Sequence, residues 1–128
     1  MPAVRIETRR GWIGDRRPDI LEAVQRALLA GLEVPSDDCC TSLIEYDADA
    51  IIVPPGNGPA YLVIEIKLFS GRPLDAKRRL YAAMVNELSA FGIPAGDIET
   101  ILVEIDPVNW GLRGLPACEL DLDFKTDG

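Results

Sequence analysis

The chain has 128 residues, 48% hydrophobic and 27% charged, with a net charge of −8. That length bounds it to one domain, large enough to bury a core without disulfide or metal staples. The acidic balance argues against a nucleic-acid partner, which needs a basic footprint, and no polybasic patch suits a membrane surface.

Histidine is absent, which removes the usual general base and the commonest metal ligand. The three cysteines, Cys39, Cys40 and Cys118, have no CxxC spacing, so no zinc site is expected. They are expected to be reduced, small and mostly buried, as in a cytoplasmic protein. No signal peptide is expected, and no apolar run is long enough to cross a bilayer.

In chain order, residues 3 to 9 alternate as a strand, and Gly11, Gly14 and Asp15 mark a turn. Pro18 suits the first turn of a helix whose apolar positions are Ile20, Leu21, Val24, Leu28 and Leu32. Thr41 to Tyr46 reads as a second strand, followed by a Pro- and Gly-rich linker over 48–60. Tyr61 to Phe69 is a third strand, and Gly71-Arg72-Pro73 turns into a second helix with a stripe of Ala76, Leu80, Ala83, Met84, Leu88 and Phe91. Ile101 to Ile105 is the fourth strand. In the tail over 107–128, Leu120, Leu122 and Phe124 alternate with charged residues, which suggests an added edge strand.

The two halves repeat. Val34-Pro35 and Asp38 recur 59 positions on as Ile93-Pro94 and Asp97, and Leu43-Ile44-Glu45 recurs as Leu102-Val103-Glu104. The opening strands fit an offset of 60, with Gly11 answering Gly71, so a one-residue slip is expected in the turn before the helix. The economical fold is α/β: two tandem βαβ units, about 2–47 and 61–106, forming a four-stranded sheet with both helices on one face. The bare face calls for a cover, from the tail's apolar residues or from oligomerisation.

The chain opens Met1-Pro2. Removal of Met1 would leave the Pro2 nitrogen as a free secondary amine, held at the start of a strand. That proline, the βαβ repeat and the Gly71-Arg72-Pro73 turn together resemble the tautomerase superfamily. The doubled length and Asn109-Trp110-Gly111 look most like its malonate semialdehyde decarboxylase and fused 4-oxalocrotonate tautomerase branch. The resemblance runs from Pro2 to about Gly114. It implies catalysis by the amino-terminal proline without a cofactor, in a homotrimer. Pro2 matches the catalytic proline, Arg72 the arginine that binds the substrate carboxylate, and Asp38 the aspartate that the decarboxylase branch places beside the proline. That branch has a second arginine two residues before the first, and here the position is Ser70. Cys39 also stands where a polar or basic residue is expected.

The chemistry follows from the groups. A free α-amino group titrates near ~8 in model peptides. An apolar pocket and a neighbouring Arg72 favour its neutral form, a general base, whereas a close Asp38 favours the cation, a general acid. Arg72 can hold a carboxylate through two parallel hydrogen bonds at a helix start. Ser70 and Trp110 are further candidates for the substrate-binding wall. Arg16-Arg17 and Arg78-Arg79 read as solvated helix faces, and Arg9-Arg10 as a pair that could reach a neighbouring subunit. The leading expectation is a cofactor-free keto–enol tautomerase acting on a small anionic 2-oxo acid or its enol. The alternatives are a malonate semialdehyde decarboxylase-like decarboxylase or hydratase, and a catalytically silent trimeric binding module.

Overall fold

The computed structural model describes residues 2–35 and 38–121. Strand β1 (Ala3–Arg9) leads to helix α1 (Arg17–Leu32) and strand β2 (Cys40–Tyr46). After the linker come β3 (Leu62–Phe69), α2 (Leu74–Ser89) and β4 (Ile98–Ile105). The sheet order is β2-β1-β3-β4: β1 is parallel to β2, β3 is parallel to β4, and the two units meet antiparallel along β1 and β3.

Alternation explains which face is covered. In the central strands, Val4, Ile6 and Thr8 of β1 and Leu62, Ile64, Ile66 and Leu68 of β3 all point to one side and are buried. Both helices lie there: Ile20, Val24 and Leu28 of α1 and Leu80, Met84 and Leu88 of α2 share one core with those strand residues. Each fully buried Ile or Leu contributes about 1.5–3 kcal/mol from removal of its side chain from water. The helices touch closely enough that a Cβ on Gly31 would sit 2.5 Å from the Leu80 Cα, so only glycine allows this approach.

The repeat is visible in the backbone. Gly11 and Gly71 have φ of 126° and 123°, a region that glycine enters without strain. Asp38 and Asp97 donate their backbone N–H groups to the Pro35 and Pro94 carbonyls at 3.3 and 2.9 Å, the same turn twice. Glu45 and Glu104, on the helix side of the edge strands, accept from the first turns of the helices: Arg17 Nε at 2.5 Å and Lys77 Nζ at 2.8 Å. The expected slip is not one event in one turn. The helices start 57 positions apart, at Arg17 and Leu74, so the first turn is longer by three residues and the connection after α1 shorter by two. The longer turn carries Ile13, 1% exposed, and Trp12, whose indole N–H donates to Thr8 Oγ1 at 2.9 Å. A plug of core residues was hidden inside a Gly- and Asp-rich stretch.

Other expectations are corrected. Cys39 is half-buried and Cys40 and Cys118 are exposed, all three as free thiols, because Cys40 faces away from the helices on an edge strand and Cys118 sits in a surface turn. Arg16 is not a solvated helix residue: it donates to the Trp12 and Ile13 carbonyls at 2.7 and 3.1 Å and stacks its guanidinium on Phe91. In the tail, Gly111–Leu112 (β5) and Leu115–Pro116 (β6) form a tight hairpin whose turn residues, Arg113 and Gly114, both have positive φ. Trp110 and Leu112 pack on the core, but Val108 and Leu115 are exposed, so these residues cover little of the bare sheet face. Leu122 and Phe124 lie outside the described residues. Among the described residues no helix is long and apolar enough to cross a membrane.

Candidate active site

The topology gathers the candidate residues at one end of the sheet. Pro2 is buried at the start of β1, and its carbonyl accepts from the Cys40 N–H at 3.2 Å. Because β1 and β2 are parallel, that bond brings the start of β2, with Asp38 and Cys39 just before it, to the same place. Because β1 and β3 are antiparallel, the end of β3 arrives there too: Ala3 pairs with Lys67, and Ser70 and Arg72 follow. The end of β4 lies alongside, tied by the Ser70 N–H to the Ile105 carbonyl at 3.1 Å. Trp110, just beyond, sets its ring edge-on to Phe69 with centroids 5.2 Å apart.

The surroundings of these residues differ. Arg72 is 5% exposed, and its burial pulls the guanidinium below its ordinary pKa while the Glu104 carboxylate pulls the other way. Asp38 is half-buried, and Ser70 is exposed. The Cys39 thiol is pushed up, first by burial; the positive chain start opposes this and the Asp38 charge adds to it. A thiol so placed is a weak nucleophile near neutral pH.

Between the open side of the sheet and the tail lies a groove of about 280 Å³, lined by Ala3, Lys67, Ile105, Asn109, Trp110 and Gly111. Arg9 and Arg10 are at the opposite end: Arg9 Nη2 donates to the Ile51 carbonyl and Arg10 pairs with Asp47. Within the described residues no group of three His, Cys, Asp or Glu side chains is placed to hold a metal ion.

The sequence reading missed two residues here. Glu104, the carboxylate nearest in effect to Arg72, was noticed only as part of the repeat, and its partner in the first unit, Glu45, gave the signal that it faces a helix start. Lys67 has no local signature; its place beside the chain start follows from strand register alone.

A family model described as tautomerase enzyme matches residues 38–113. A malonate semialdehyde decarboxylase inhibited by 3-bromopropiolate is 26% identical, with a TM-score of 0.76 over 85% of this chain and 87% of that one. A native fused 4-OT shares the fold at 22% identity and a TM-score of 0.82, covering 92% of this chain and 98% of that one. A fused 4-OT symmetric trimer does so at 24% and 0.80, over 91% and 96%. With most of its length matched by that family model, and with the doubled βαβ layout of these structures, the chain belongs to the tautomerase enzyme family.

Proposed function

We propose that the protein is a cofactor-free tautomerase that moves a proton between carbon and oxygen of a small 2-oxo acid, with Pro2 as the proton carrier once Met1 is removed. The observation that carries this reading is the convergence of Pro2, Asp38 and Arg72 at one sheet end, with Arg72 buried there. Arg72 holds the substrate carboxylate, and a carboxylate drawn to a buried guanidinium gains more than it would in water. The neutral Pro2 amine takes a proton from the carbon next to the carbonyl and returns it to the other site. Burial and the guanidinium favour that neutral form, and Asp38 opposes it. Three copies assembled on the bare sheet faces would complete the unit; solved fused 4-OT structures described as trimers support that arrangement.

A second reading is favoured by Asp38 beside the chain start and by the likeness to a malonate semialdehyde decarboxylase. There the cationic Pro2 acts as an acid toward a three-carbon oxo acid. The exposed Ser70, in place of a second arginine, weighs against it.

The test uses protein whose loss of Met1 is verified by intact mass. Ketonisation of phenylenolpyruvate is followed from pH 5 to 9 in wild type and Pro2→Ala. The expected result is a loss of at least about a hundredfold in the variant, with a wild-type rate that rises with pH below about 8. Equal turnover in the two proteins rejects the reading. Turnover confined to malonate semialdehyde selects the decarboxylase instead.

A further inference from the structure

We infer that Lys77 is a positioning residue for Arg72: it holds the Glu104 side chain against the first turn of α2, so that this carboxylate does not compete with the substrate's for the guanidinium. The inference deepens the tautomerase reading and rests on it for the role of Arg72.

The turn that carries Arg72 is tied on both sides to the end of β4. Before it, the Ser70 N–H donates to the Ile105 carbonyl at 3.1 Å. After it, Lys77 Nζ donates to Glu104 Oε1 at 2.8 Å, a charge-assisted bond on the helix side of the sheet. Glu104 stands opposite Leu68 and Ile105 opposite Phe69, so the two ties meet consecutive residues of one strand. Arg72 lies between them in the chain and is 5% exposed. The Glu104 charge reaches it: burial draws the guanidinium down, and this carboxylate draws it back up. Glu104 thus faces two cations, one bonded and one buried. Shared in this way it steadies Arg72. Released onto Arg72, it would contest the donors that suit a ligand carboxylate.

The first unit shows the same tether without the arginine. Arg17 answers Lys77 and Trp12 answers Arg72 at an offset of 60. Glu45 accepts from Arg17 as Glu104 does from Lys77. The tether by itself therefore belongs to the repeated fold, and Arg72 gives the second copy a further use. The two copies also differ in enclosure. The Glu45 side chain is 6% exposed and that of Glu104 is 36%, so Glu104 has room to turn from one cation to the other. Loss of Lys77 leaves its charge drawn to Arg72, and opposite charges attract more strongly where one of them is buried. Lys77 suits the task as a compact charge on a flexible stem: it engages one carboxylate oxygen and leaves the fork geometry to Arg72.

The test is calorimetric titration of oxalate, a planar dianion that stands in for an enolised 2-oxo acid, into protein lacking Met1, with melting curves verifying the fold. The proteins are wild type, Arg72→Ala, Lys77→Met, Lys77→Arg, Glu104→Gln, the double variant Lys77→Met with Glu104→Gln, and Glu45→Gln as the control from the first unit. The expected result is loss of binding in Arg72→Ala and about tenfold weaker binding in Lys77→Met. Lys77→Arg should return to within about threefold of wild type. Once Glu104 is neutral, removal of Lys77 should change affinity by less than about twofold, and Glu45→Gln should bind as wild type. With phenylenolpyruvate, Lys77→Met should raise KM about tenfold and leave kcat within about twofold. An equal loss from Lys77→Met with and without the Glu104 charge would show that Lys77 acts on the ligand or the fold directly, and would overturn the inference. Unchanged affinity in Lys77→Met, or no Arg72-dependent oxalate binding, would overturn it as well. The two proposals separate cleanly: the expected oxalate pattern without any enol turnover retains the Lys77–Glu104 pair and rejects the tautomerase.

Discussion

The two βαβ units share their turns, their glycines and their helix-side glutamates, yet they end differently. In the second unit Asp97 is 6% exposed, and its carboxylate accepts from Asn57 Nδ2 at 2.7 Å and from the Gly58 N–H at 3.2 Å. The linker between the units lies against it so closely that a Cβ on Gly58 would meet its oxygen at 2.9 Å. In the first unit the corresponding Asp38 stays half-buried, beside the start of the chain. The position answering Pro2 is Leu62, in the middle of a continuous backbone, so no amine can arise there. Arg72 is answered by Trp12, which bonds Thr8; Thr8 in turn donates to the Tyr61 carbonyl at 2.7 Å. One sheet end is thus sealed by the chain's own connections, while the other gathers side chains around the chain start. Duplication supplies two similar ends, and the single linker can close one of them.

The sharpest way to break the comparison is to make the same change at both aspartates. Asp38→Asn should enlarge the neutral fraction of Pro2, raising enol turnover near pH 6 by up to about tenfold and moving the rising limb of the pH profile to lower pH with little change in melting temperature, if it tunes Pro2 as proposed. Asp97→Asn should do the reverse, costing about 1–3 kcal/mol of stability while leaving turnover per folded molecule near wild type. Denaturant titration and steady-state rates on both variants check this, and matching phenotypes would dissolve the distinction between the ends.

A second difference lies where the helices cross. Counted from the helix starts, Gly31 of α1 corresponds to Leu88 of α2, and the glycine is the residue pressed onto the Leu80 backbone. Gly31→Ala should therefore cost about 1–3 kcal/mol through overpacking, despite alanine's better helix propensity. A rise in the urea midpoint would show instead that the helices separate freely.

The smallest effect is alkaline. Tyr61 hydrogen-bonds Glu99 at the sealed end, and that bond, helped by burial, pushes its phenol up to about 12 from 10. The folded state then holds a proton that the unfolded chain releases near 10, so this contribution is full below pH 10 and is lost as pH rises through about 12. Tyr61→Phe should flatten the fall in stability between those values, read by chemical denaturation, and leave turnover below pH 9 unchanged. Tyr46, bonded to Glu7 at 2.6 Å, is shifted in the same direction, so part of the alkaline slope survives.

Local chemistry was legible in the sequence wherever a residue's role depends on its chain neighbours. Alternation in β1 and β3, the helical stripes, the paired Pro-x-x-Asp turns and the paired glycines could be read in advance because periodicity and turn geometry are properties of short segments. The family resemblance rested on the same short segments. Tertiary structure decided what depends on segments about 60 residues apart meeting. It laid the linker's hydrogen bonds on Asp97, turned Trp12 and Ile13 from a turn into core, made Arg16 a tether, and left Cys40 facing outward. It set Glu104 near Arg72, and Lys67 beside the chain start. Register across the antiparallel β1–β3 seam settles which side chains share a row, and which loop crosses a carboxylate settles whether its charge is spent on the fold. No single segment carries either fact.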